Sequence, residues 1–105
     1  MRIIKLCRFL REEKKEYILS KQLLRSGTSI GANIAEAQQA QSKADFTAKL
    51  SIALKEAVET NYWLRLLHAT EYLSEAAFSS IITDCKELER LLTAIIKTSR
   101  STNTL

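Results

Sequence analysis

EYILSKQLLRSGTSIGANIAEAQQAQ, residues 16–41, holds both glycines of the chain, and where they fall decides the fold. Gly27 and Gly31 stand four residues apart inside a helical pattern in which Leu19, Leu23, Ile30, Ile34 and Ala37 return to one face at spacings of 4, 7, 4 and 3. The rest of this 105-residue chain has no glycine and no proline, so its turns lack the residues that usually make them. An all-β sandwich or barrel, which needs a turn about every 8–12 residues, does not fit that supply. With 46% hydrophobic residues the chain is too apolar for intrinsic disorder, and collagen-like or proline-rich architectures lack their raw material. A single all-helical domain remains.

The stretch also carries an internal cost, because each glycine in a helix interior loses about 1 kcal/mol relative to alanine. Close approach of a neighbouring helix along Gly27, Gly31 and Ala35, which step at i, i+4, i+8, offsets it; the alternative is a kink. Upstream, Ile3, Leu6, Cys7 and Leu10 share one arc while Arg2, Lys5, Arg8 and Arg11 fan over the other side, giving an amphipathic helix over 1–12 with a basic back. It is short for a bundle, and the expectation is that this helix starts before residue 1. The chain must then fold back within REEKKE, Arg11–Glu16, although nothing local demands a turn there.

Downstream, Ser42 with Asp45 three residues on reads as a capping-box-like start to a helix over 43–70. Phe46, Leu50, Ala53, Ala57 and Leu64 form its core stripe. A second apolar group, Ile52, Trp63 and Leu66, lies well away from that stripe and predicts an interface with another subunit; the alternative is a tryptophan lying partly exposed along its own helix. Ser74 reads as the N-cap of a last helix over 74–100, whose face carries Phe78, Ile81, Ile82, Cys85, Leu88, Leu92, Ile95 and Ile96. The expected architecture is an antiparallel four-helix bundle over residues 1–100 with a flexible tail at 101–105.

Charge is unevenly spread. Arg2, Lys5, Arg8, Arg11, Lys14, Lys15, Lys21 and Arg25 stand against only Glu12, Glu13 and Glu16 in residues 1–26, a net of +5, while the remainder carries −1. Such a concentration suits a surface that meets phosphate, and those eight residues are the candidate nucleic-acid contacts; the alternative is a solvated face that serves solubility. Cys7 and Cys85 fall on apolar stripes and are expected to stay reduced. Basic residues interrupt the N-terminal apolar positions, and no apolar run approaches the length of about 18 residues that crosses a bilayer, so a cytoplasmic protein without a membrane role is expected.

Catalytic and metal chemistry find little support. Glu36, Glu56, Glu59 and His68 invite a di-iron reading, but such sites use Glu-x-x-His pairs, and this chain has Glu-x-x-Glu and one histidine. No strand-to-helix elbow exposes a serine nucleophile, and Gly27 and Gly31 belong to no phosphate loop. No cofactor is expected. Gln22, Arg25, Ser29, Asn33 and Glu36 share one side of the second helix, as a solvent face or as a network that fixes helix register or subunit orientation.

The string RSGTSIGANIAEA, Arg25–Ala37, together with FTAKLSIALKEAVET, Phe46–Thr60, and YWLRLL, Tyr62–Leu67, resembles the four-helix-bundle family of the proteins encoded in intervening sequences of bacterial 23S rRNA genes. Asn33, Glu36 and Glu59 match family positions, whereas Ala37 stands where the family commonly has glycine. The resemblance implies a bundle that assembles into a ring, typically a homopentamer, with no established enzymatic activity. Accessory proteins of diversity-generating retroelements are distantly similar in fold and bind nucleic acid through basic surface. The functional expectation is a non-enzymatic homo-oligomer that binds RNA or DNA through its basic N-terminal quarter. The alternative is a protein-interaction scaffold, with another protein as partner and no nucleic-acid role.

Overall fold

A computed structural model describes the backbone of residues 2–103 and the side chains of residues 2–101. Four helices follow in order: α1 (Arg2–Glu12), α2 (Leu19–Gln38), α3 (Lys43–Ala69) and α4 (Glu75–Asn103). Successive helices run antiparallel, as contacts Ile3–Gly27 with Cys7–Ser20, Ser26–Thr60 with Glu36–Lys49, and Thr47–Ser99 with Ala57–Cys85 record, and the all-helical bundle is 52 Å long and 21 by 17 Å across.

The helix ends explain where the elements begin. Ser42 accepts a hydrogen bond from the Asp45 N–H at 3.1 Å, and Ser74 does the same for Ala77 at 3.1 Å, so both expected N-caps form. α2 starts at Leu19, three residues later than the periodicity predicts, because Glu16 lies outside the helix and caps it. Its carboxylate accepts from the N–H groups of Ile18, Leu19 and Ser20 at 3.2, 3.0 and 2.7 Å, and the Ser20 hydroxyl donates back to the Glu16 carbonyl at 2.8 Å. The reversal inside REEKKE is made by Lys15, which takes a left-handed φ of 53°. α4 runs to Asn103, so residues 101–103, expected in a flexible tail, continue the helix; residues 104 and 105 lie outside the described part.

Two core clusters lie along the bundle. One joins all four helices through Cys7, Leu10, Leu23, Leu64, Leu67, Ile81, Ile82 and Cys85. The other, with Ile30, Ala37, Leu50, Ala53, Ala57, Leu92 and Ile96, contains no described residue of α1, which at 11 residues covers only one half of the molecule. The expected close approach along Gly27, Gly31 and Ala35 is confined to its first member. A Cβ on Gly27 would lie 2.6 Å from Cγ2 of Ile3, so α1 rests directly on this glycine. Gly31 is half-buried, and Ala35 is exposed. The α2–α3 seam uses other small residues: Thr60 and Ser26, both buried, share a hydrogen bond of 2.9 Å between their hydroxyls, next to Ala57 and Ala53.

Candidate nucleic-acid interface

α1 and the start of α2 frame a groove of about 500 Å³. Its apolar floor is made by the buried Cys7 and half-buried Leu24 with the more exposed Ile4 beside them, and the charged side chains that line it are Arg8, Arg11, Lys15 and Glu12. Tyr17 closes one end with 54% of its surface exposed, and the Arg11 guanidinium carbon stands 6.0 Å from the centre of the tyrosine ring. Burial pushes the Cys7 thiol up to about 11, with Arg11 pulling it slightly back, so the floor stays neutral at physiological pH.

The eight basic residues expected on one surface are not all free for a ligand. Arg2 reaches α4, where it pairs with Asp84 and donates to the Ser80 hydroxyl at 2.9 Å. Arg25 turns to α3 and pairs with Glu59 and, at 3.2 Å, with Glu56, while Gln22 accepts from its Nε at 3.3 Å. Both side chains stay about half exposed, so these surface ion pairs engage Arg2 and Arg25 without burying them. Among the described residues, Lys5, Arg8, Arg11, Lys14, Lys15 and Lys21 enter no ion pair, and all six are exposed. Lys14 lies 5.9 Å from the Phe9 ring centre, beside a separate hollow at the end of the bundle. Lys21 lies in the first turn of α2, four residues after Tyr17 in sequence.

Tyr17 and the apolar floor are absent from the residues that the charge pattern selects. The available signal was an aromatic residue directly after the basic run KKE, the interleaving typical of surfaces that stack bases.

A second surface lies across α2 and α3. Asn33 donates from its side chain to the Ser29 carbonyl at 2.9 Å, and Glu36 pairs with Lys49 at 3.1 Å; that hydrogen bond and the charge of Glu36 push the Lys49 ammonium pKa up. Together with Arg25–Glu56 and Arg25–Glu59, these contacts put the matched family positions Asn33, Glu36 and Glu59 on one polar face, where three ion pairs tie α2 to α3. Ile52 is 43% exposed and Tyr62 48%, whereas Trp63 and Leu66 are half-buried. Trp63 packs against the four-helix core with its ring edge-on to Tyr62 at 5.0 Å, so much of it belongs to its own bundle rather than to open surface. Its buried Nε1 has no hydrogen-bond acceptor among the described residues.

Glu56 and Glu59, which the di-iron reading would use, face Arg25, and His68 stacks on Phe78 with ring centres 4.0 Å apart while its Nε2 meets Glu75 at 2.7 Å. Among the described residues no group of three or more His, Cys, Asp or Glu is placed to hold a metal ion, and no helix is long and apolar enough to cross a membrane. Both cysteines are free, and burial pushes the Cys85 thiol up to about 12 with help from nearby Glu89.

A crystal structure of a protein of unknown function from the S23 ribosomal protein family of Bacteroides thetaiotaomicron VPI-5482 is 60% identical to this chain. It superimposes with a TM-score of 0.90 over 91% of this chain and 89% of its own. No curated protein matches. The family described as 23S rRNA-intervening sequence protein matches residues 1–94. The chain therefore belongs to the 23S rRNA-intervening sequence protein family.

Proposed function

We propose that the protein is a non-enzymatic helical bundle that binds nucleic acid through the α1–α2 groove and acts as a homo-oligomer. The observation that carries the first part is the convergence of Arg8, Arg11 and Lys15, none of them in an ion pair, on one concave surface beside an exposed tyrosine. Phosphate is the complementary ligand for three cations held this way. Association between copies raises the effective concentration of such weak contacts, so a modest charge per subunit suffices. The α2–α3 face supplies the surface for self-association, with Ile52 and Tyr62 exposed and Trp63 and Leu66 beside them.

Binding of labelled RNA and DNA across a salt series tests the reading. Three neutralised phosphates per site correspond to a loss of affinity of about twentyfold to fortyfold between 50 and 200 mM salt, through counterion release. Affinity that ignores salt, or no binding to either nucleic acid, overturns it. The second reading, a scaffold for another protein, draws on the same exposed Ile52 and Tyr62. An apolar protein interface hardly responds to salt, so the same titration applied to a copurifying protein separates the two.

A further inference from the structure

The charges alone do not account for the shape of the groove. Duplex nucleic acid offers phosphate and sugar on its outside and keeps its base faces stacked, so exposed lysine and arginine are enough to hold it. Here the cations rim a hollow of about 500 Å³ whose floor is Ile4, Cys7 and Leu24. An apolar floor of this size gains nothing from a phosphate, but it does gain from the flat face of a base. Tyr17, more than half exposed, adds an aromatic platform whose ring already has Arg11 beside it. Glu12 also lines the groove; its carboxylate repels phosphate from that edge and can accept a hydrogen bond from the amino group of a base.

We infer that the groove takes a single strand, seating one base against Tyr17 and the apolar floor while Arg8, Arg11 and Lys15 hold the adjoining phosphates. This rests on the nucleic-acid reading above and narrows it to single-stranded ligand. RNA and DNA share the chemistry required, namely an unstacked base flanked by phosphates.

Fluorescence anisotropy on the full chain tests the assignment, with labelled single strands of about 12 nucleotides as RNA and as DNA, the matching duplexes, and an abasic strand of the same charge. Tyr17→Ala is expected to weaken binding of the single strand about fivefold to a hundredfold and leave duplex binding as it was. Tyr17→Phe, which keeps the ring, is expected to retain single-strand affinity, and the abasic strand is expected to bind wild type as weakly as the intact strand binds Tyr17→Ala. A preference between RNA and DNA identifies the strand and supports the assignment. Equal affinity for single strand, duplex and abasic strand, with Tyr17→Ala silent, overturns the single-strand assignment and leaves the phosphate-binding reading standing. If no probe binds wild type at low salt, the broader reading falls, and this assignment with it.

Discussion

Glu16 holds three backbone N–H groups that α2 cannot satisfy for itself, and it does so from a position where its own carboxylate is almost wholly enclosed. Glu16→Ala is therefore expected to lower stability by about 2 kcal/mol, the upper end of the cap range, and Glu16→Gln by less because an amide oxygen still accepts. Urea titration of the three proteins measures both effects. At the far end of α3, Glu71 sits at a φ of 68°, while its N–H and that of Tyr72 donate to the carbonyls of His68 and Leu67 at 3.1 and 2.9 Å. That is a Schellman ending with glutamate in the place glycine normally takes. Glu71→Gly is expected to raise stability by up to about 1 kcal/mol, read as a melting temperature higher by up to about 4–8 °C. Ser42 and Ser74 were legible as caps because serine at a helix start has a characteristic local partner. Glu16, Lys15 and Glu71 were not, since their residue types do not advertise a long-reach cap or a left-handed backbone. The basic excess was legible as well, but the ion pairs that engage Arg2 and Arg25 depend on Asp84, Glu56 and Glu59, which lie far away in sequence.

At the scale of elements, the glycine cost in α2 is offset where α1 rests on it. Ile3 leaves no room for a Cβ on Gly27, and a β-branched side chain anchored this close to its own helix yields little. Gly27→Ala is expected to destabilise the protein even though alanine is the better helix former by about 1 kcal/mol. Adding Ile3→Ala to that variant is expected to cost less than Ile3→Ala costs in wild type, and a double-mutant cycle followed by thermal denaturation reports the difference. Additive effects would place the crowding elsewhere. Helix periodicity identified all four elements because each buries a stripe of apolar residues. It could not fix the start of α2, which depends on a side chain outside the helix.

The whole molecule gathers its matched family positions and its exposed Ile52 on the α2–α3 side. If copies associate through that side, Ile52→Glu is expected to yield smaller species in sedimentation while far-ultraviolet circular dichroism stays helical, because an exposed position tolerates charge in the folded chain. A monomer at micromolar concentration in wild type would remove the assembly from the proposal. The two core clusters have a further consequence. One half of the bundle closes around four helices and the other around three, so the molecule is expected to open in two cooperative units rather than one. Native-state hydrogen exchange should find the amides of α4 beyond Leu88 opening at lower free energy than those around Leu64, Leu67 and Ile82. A ligand seated at α1 then tightens only the half it touches, raising protection across residues 3–24 and around Leu64, Leu67 and Ile82 while the other half goes on exchanging at its own rate.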